Sequence, residues 1–171
     1  IMDYTMNGRV QTSSGNRLPG AAPCGCYRCR GVDRWLNITV TSDEEWAGLC
    51  RAMGNPPWTK DERFSDSLSR NKNQDEMNSL IEGWTRKHNH YQLMYRLQKE
   101  GVPAGPVVFE DDACRDPHLK ERGFFNELTH AECGTHLYPG LGWRMSKTPN
   151  HLRLPPVRLG EHNEYVYKEV L

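Results

Sequence analysis

Residues 101–108 read GVPAGPVV, and EDDACRDPHLKERGFF follows from Glu110 to Phe125. A glycine able to stop a helix, a rigid corner between Pro103 and Pro106, and two β-branched residues predict a helix that ends and a chain that turns directly into a buried strand. The pattern before this stretch is mostly helical. The pattern after it is mostly strand and loop, so the corner joins two kinds of structure and the expected class is α+β.

Working back from the corner, Leu93, Met94 and Leu97 form an apolar stripe on a helix that Asn89 and Gln92 can cap. Met77, Leu80, Ile81 and Trp84 fall at i, i+3, i+4 and i+7, with Asn73 and Glu76 at capping-box spacing. The same two signals recur at Ser42 and Glu45, ahead of Trp46, Leu49, Cys50 and Met53, and Gly54 supplies the stop. Three main helices are therefore expected, with residues 55–72 irregular and anchored by Trp58 and Phe64. Leu36, Ile38 and Val40 alternate with Asn37 and Thr39, the period of a half-buried strand, and Gly31 to Arg34 supply a hairpin turn after CYRC. Residues 1–23 carry NG, SSGN and LPGAAP, all turn signals, and few large apolar side chains. They read as an extended linker arm, and as the middle of a connection rather than the start of a domain.

Working forward, a short helix is expected from Phe109 to Cys114 and another from Asp116-Pro117, since Pro suits a first helical turn. Phe124 to Leu128, Thr135 to Tyr138 and Trp143 to Met145 read as short strands of a meander. The chain then crosses Pro155-Pro156 and enters a protruding helix near Gly160 or Glu161, with Val166 and Val170 on its apolar side. So short a helix gains stability chiefly by docking. The expected organisation is a linker arm over 1–23, a small α+β domain over 24–150, and a return segment with a helix over 151–171.

The 171 residues suffice for one domain with a core. Lys plus Arg equal Asp plus Glu at 22 each, which gives no electrostatic reason for a nucleic-acid or anionic-membrane partner. Mean hydropathy is −0.81, and no apolar run approaches the ~20 residues of a membrane span. IMDYTMNGRV lacks the apolar core of a signal peptide, so a cytoplasmic location is the default expectation. Cys24, Cys26 and Cys29 give C-x-C-x2-C, a spacing that thiolates can use to share zinc. A tetrahedral site needs a fourth ligand, and no matching second pair follows; buried reduced thiols are the preferred reading, with no metal.

Catalytic constellations are scarce. No glycine-rich phosphate loop, H-E-x-x-H or G-x-S-x-G is present. Asp111 and Asp112, adjacent on a helix, are splayed about 100° apart and would not share a substrate. His88 and His90 sit in a polar loop and are expected at the surface, whereas His162 opens the terminal helix and is expected, with Gly160 and Glu161, to serve docking.

Several motifs nevertheless stand in a recognisable order. Leu97, Gly101, Val102, Pro103, Gly105, Pro106 and Val107 resemble the L-x-x-x-G-V-P-x-G-P-V signature of the family III CoA-transferases, the group of formyl-CoA and carnitine CoA-transferases and α-methylacyl-CoA racemases. GNRLPGAAP, CGCYRCRGVDRW and ITVTSDEEW resemble the opening of that family's small domain. Asp116-Pro117-His118 with Arg122-Gly123-Phe124, Tyr138-Pro139-Gly140 and Leu159 to Asn163 are similar to its later motifs.

The resemblance implies the linker, small domain and returning C-terminal segment of an enzyme that moves CoA between carboxylic acids. In that family a large Rossmann-like domain holds the catalytic Asp and most of the CoA site, and two subunits interlock as rings. No Asp here matches the catalytic motif, so no catalytic residue is assigned in this chain, and CoA or an acyl-CoA is the implied ligand. The implied partner is a second copy or a separate large-domain chain. Gly20, Ala21, Ala22 and Pro23 occupy the place of a glycine-rich loop that covers the active site in formyl-CoA transferases. Only one of these four is Gly, which removes the usual source of mobility and leaves a plain linker bend as the alternative. A free-standing interaction module that keeps the fold without the chemistry is the second functional expectation.

Overall fold

The computed structural model describes residues 1–10 and 12–171, and they divide into two compact units, Ile1–Val107 and Val108–Leu171. The fold is α+β, with a three-stranded and a two-stranded antiparallel sheet. In the first unit, β1 (Cys24–Arg28) and β2 (Trp35–Thr39) form the expected hairpin, with Tyr27 opposite Leu36 and Gly25 opposite Ile38. The sheet is completed by β3 (Ala104–Pro106), which lies along the free edge of β2 and pairs Ile38 with Ala104 and Leu36 with Pro106.

A short helix, α1 (Met2–Asn7), interrupts the extended arm expected over residues 1–23; the later helices form where the caps predict, with one reassignment. Ser42 and Glu45 close a full capping box on α2 (Asp43–Met53), and Gly54 ends it in the left-handed region at φ 84°. Residues 55–72 are more ordered than the sequence suggests. Two 3₁₀ turns, Pro57–Lys60 and Glu62–Phe64, lead into α3 (Ser67–Lys72), whose cap is Asp66 accepting from the Ser69 amide at 2.9 Å. Asn73 therefore closes α3, its Nδ2 donating to the carbonyls of Ser69 and Arg63, and it places no side-chain cap on α4 (Gln74–Thr85). Asn89 does cap α5 (His90–Lys99), accepting from the amides of Tyr91 and Gln92.

These elements enclose one core. Leu36, Ile38 and Val40 point from the sheet onto Leu49 of α2, Met77 and Ile81 of α4, and Leu93 and Leu97 of α5. Each fully buried side chain of this size contributes about 1.5–3 kcal/mol relative to exposure. Trp58 meets Trp46 at 6.3 Å and Phe64 at 5.6 Å between ring centroids, so both expected anchors seat on the core. His90 is also buried, its ring 4.8 Å from that of Tyr91; the polar neighbours that suggested a surface position belong to the cap and not to the face His90 occupies.

The corner at 101–108 works mainly through its backbone. Gly101 takes φ 79°, the Val102 amide donates back to the Leu97 carbonyl, and the Gln98 side chain donates to the Ala104 carbonyl at 2.9 Å. α2 approaches this turn so closely that a Cβ on Gly48 would lie 2.4 Å from the Glu100 carbonyl oxygen. The strand that follows is shorter than expected. Pro106 has no N–H to offer, the Val107 amide makes the last bond to Trp35, and Val107 and Val108 are 40% and 43% exposed instead of buried.

The second unit holds α6 (Glu110–Arg115), α7 (Pro117–Glu121), and a hairpin of β4 (Phe125–His130) with β5 (Gly134–Pro139). Trp143 to Met145 do not form a third strand. Gly140 closes the hairpin by donating to the Phe124 carbonyl at 2.7 Å, β5 ends at Pro139, and Trp143 is 61% exposed. The terminal helix is one α turn, α8 (Asn163–Tyr165), continued by a π-type segment over Val166–Val170, and its residues are exposed. No residue from 108 to 171 reaches full burial.

Candidate functional site

The residues with most chemistry in the first unit converge on a cleft of about 640 Å³ between the 14–17 turn, β1 and α4. The 14–17 turn is shaped by the Arg17 amide donating to the Ser14 carbonyl, and Arg17 reaches α4 through an ion pair with Asp75. β1 presents Cys24 and Cys26 on one side and sends Tyr27 inward on the other, which follows from strand alternation. The Tyr27 hydroxyl donates to Asn78 Oδ1 at 2.7 Å, and the Gln74 side chain donates to the Cys24 carbonyl at 3.3 Å, so α4 fixes β1 by polar contacts as well as packing.

Electrostatically this cleft favours neutral groups. Burial, reinforced by the neighbouring Cys24, Cys26 and Glu82, holds the Tyr27 phenol well above its ordinary value. Burial raises the Cys26 thiol, and burial followed by the proximity of Cys26 pushes Cys29 up to about 11. A thiol protonated at neutral pH is a poor nucleophile and a poor metal ligand. Among the described residues no group of three or more His, Cys, Asp and Glu side chains gathers as a metal site. The cleft is equipped to bind, through amide, hydroxyl and guanidinium groups, and carries no activated nucleophile.

Gly20 to Pro23, which lead from the 14–17 turn into β1, are tied down. Gly20 turns at φ 80°, Leu18 and Ala21 form an isolated bridge, and Ala21 and Ala22 are 3% and 1% exposed. The Ala22 amide donates to the Val40 carbonyl, and the Val40 amide returns a bond to the Pro23 carbonyl at 2.8 Å. Beneath them lies Arg70, 1% exposed, a residue that no motif or spacing marks out. Its Nε donates to the Ala22 carbonyl at 3.2 Å, one terminal nitrogen meets Asp43 at 2.7 Å, and its guanidinium lies 5.0 Å from the Trp46 ring. A buried arginine survives because its donors are satisfied, and here that satisfaction anchors the segment.

Gly160, Glu161 and His162 form a separate turn in the second unit. Gly160 adopts φ 76°, and the Glu161 carboxylate accepts from the Arg158 amide at 2.7 Å, which lowers its pKa, with Arg158 and nearby histidines adding to the effect. His162 precedes α8, is exposed, and makes no side-chain cap. The second unit also has a cleft of about 770 Å³ beside β4, where Phe124, Leu128, Trp143 and Met145 supply apolar surface and Arg122 spans to the Gly142 carbonyl at 3.4 Å. Among the described residues, no helix is long and apolar enough to cross a membrane.

Comparison with known proteins places this arrangement. A family model described as CoA-transferase family III matches residues 1–163. The succinyl-CoA–D-citramalate CoA-transferase of Chloroflexus aurantiacus is 29% identical over 171 residues, which cover 100% of this chain and 42% of that protein. The succinate–glutarate CoA-transferase of Agrobacterium fabrum is 30% identical over 171 residues, covering 99% and 42% respectively. A solved structure of a CAIB/BAIF family protein from Brucella suis superimposes with a TM-score of 0.78 at 27% identity, covering 99% of this chain and 43% of that one. The chain thus spans about two fifths of the length of the relatives it matches. With the family model matching from residue 1 to 163 and this fold shared, the chain belongs to CoA-transferase family III.

Proposed function

We propose that these residues serve as the small-domain part of a CoA-transferase that moves CoA between carboxylic acids, and that they act together with the portion of such an enzyme that lies outside them. The observation that carries this reading is the coverage: the relatives match this chain from end to end while extending well beyond it. By family resemblance the carboxylate that carries the acyl group and then CoA belongs to that other portion, and covalent catalysis needs it. The chain by itself is therefore catalytically silent. Its own contribution is to hold Gly20 to Pro23 firmly, through Arg70 and the Val40 bonds, as a wall against bound CoA thioester, with thiols and phenol kept protonated so that they do not compete for the acyl group.

The partner is the large-domain portion, in the same or a separate chain, within a dimer in the cytoplasm, and the ligand is CoA or an acyl-CoA. A free-standing interaction module is the second reading, favoured by the apolar side chains left exposed from Leu137 to Leu171. Isolation of the native species that contains these residues, followed by an assay of CoA exchange between carboxylic acids, separates the two. Exchange by a species that includes an Asp-bearing portion is the expected result. A species of this chain alone, without exchange, would overturn CoA transfer in favour of the module.

A further inference from the structure

β1 is an edge strand of its sheet, and one residue of that edge is left open. Antiparallel pairs alternate between those that exchange backbone bonds and those that do not. The Cys29 amide donates to the Arg34 carbonyl at 2.7 Å and the Val40 amide to the Pro23 carbonyl at 2.8 Å. In this register Gly25 and Tyr27 also bond toward β2, while Cys24, Cys26 and Arg28 turn their amides and carbonyls outward. The far side of β2 has the matching phase, with the Thr39 amide donating to the Pro103 carbonyl at 3.2 Å and the Val107 amide to the Trp35 carbonyl at 2.9 Å.

α4 closes this edge at both ends. Gln74 donates to the Cys24 carbonyl at 3.3 Å and the Thr85 hydroxyl to the Arg28 carbonyl at 2.7 Å. Between them Cys26 lines the cleft of about 640 Å³, and its backbone N–H and C=O have no partner among the described residues. Asn16, Asn78 and Gly83 line the same cleft. Asn78 Oδ1 is taken by Tyr27, and a Cβ on Gly83 would meet nothing within 4 Å, so space remains beside α4. The charges around it are matched, Arg17 with Asp75 and Arg86 with Glu82. The result is a concave, charge-paired wall that carries one strand-like donor and acceptor.

We propose that this cleft takes one extended aminoacyl unit, NH–CHR–CO, of a neutral peptide. The unit's N–H meets the Cys26 carbonyl and its C=O meets the Cys26 amide, the two-bond exchange of an antiparallel pair. A lone trans amide points its N–H and C=O in opposite directions and makes only one of these bonds. Because the carbonyls of Cys24 and Arg28 are already occupied, pairing stops at a single residue and a whole added strand is excluded. The side-chain amides of Asn16 and Asn78 supply donors for the flanking peptide groups.

Amide chemical shifts of the 171-residue chain test the site during titration with N-acetylalanine N-methylamide, with its analogue methylated on the alanyl nitrogen, and with N-acetyl-β-alanine N-methylamide. The alanyl compound is expected to shift the Cys26 amide saturably and to bind about tenfold more tightly than the analogue without that N–H. It is also expected to bind about threefold more tightly than the β-alanyl compound, whose N–H and C=O stand one carbon further apart. Cys26→Pro removes the outward N–H and leaves the β1–β2 ladder intact, so binding should weaken about tenfold, whereas Cys26→Ser, which keeps the backbone, should cost less than about threefold. Gly83→Leu fills the cleft from α4 without altering β1 and is expected to abolish the shifts, a result that stands even where the proline variant fails to fold. No saturable shift at Cys26, equal binding of either analogue, a loss with Cys26→Ser as large as with Cys26→Pro, or full binding by Gly83→Leu would overturn the site. None of these readouts involves CoA exchange, so the outcome is independent of the CoA-transfer reading.

Discussion

Residues 1–107 bury Leu36, Ile38, Phe64, Met77, Ile81 and Leu97 completely, whereas residues 108–171, with regular strands and helices of their own, leave Leu137, Trp143, Leu154 and Tyr167 more than half exposed. Hydrogen bonding does not explain the contrast, because the β4–β5 ladder is fully paired over six residue positions. Burial does: a two-stranded hairpin and short helices without a covered face are marginal in water. The first region is thus a folded body in its own right. The second is a set of elements without a covered face, and the proposed reading supplies that cover from the portion of a CoA-transferase outside these residues.

Paired truncations sharpen this contrast most. Leu97→Ala should cost about 2–5 kcal/mol in urea unfolding, since it removes a fully buried side chain, while Leu137→Ala should stay within about 0.5 kcal/mol. Equal losses would erase the distinction. Next comes Arg70→Met, which keeps much of the volume but leaves the Ala22 carbonyl without its donor; a loss of about 1–3 kcal/mol is expected, with faster hydrogen exchange at the Ala22 and Val40 amides. Stability loss without faster exchange there would mean that Arg70 does not anchor the Gly20 to Pro23 segment.

Gly48→Ala should cost about 1–3 kcal/mol, because its Cβ would meet the Glu100 carbonyl, a backbone atom that cannot rotate away. Gly83→Ala, where nothing lies within 4 Å, should be neutral or slightly stabilising, and the two thermal midpoints measure the difference. The smallest effect is alkaline. A thiol is uncharged when protonated, and Cys29 holds its proton up to about 11 in the fold, against about 8.5 in an unfolded chain. Its contribution is complete below about pH 8 and is lost as pH climbs through 11. At pH 8.5 iodoacetamide should label the exposed Cys114 and Cys133 well before Cys24, Cys29 and Cys50, as peptide mapping would show.

What the sequence disclosed follows the same division. Leu36, Ile38 and Val40, the Ser42–Glu45 capping box and the Asn89 cap are local signals reinforced by burial, and each holds in the fold. Trp143 to Met145 carry a strand pattern but have no neighbouring edge to hold them, and pairing is not a local property. Arg70 was illegible because its burial depends on carbonyls of Ala22 and Phe64 brought near by tertiary structure. The cleft was hidden for a similar reason: Tyr27 and Asn78 are 51 positions apart in the chain. Motif order, which does not depend on tertiary contacts, revealed the family.

Amide hydrogen exchange of the 171-residue chain by itself bears most directly on the claim that one region stands alone and the other requires a surface. Slow, cooperative exchange is expected for Ile38, Ile81 and Leu97, and exchange orders of magnitude faster along β4 and β5, despite the latter's complete ladder. Equal protection of Leu128 or Tyr138 and Ile38 would contradict it, since residues 108–171 would then be stable without any added partner.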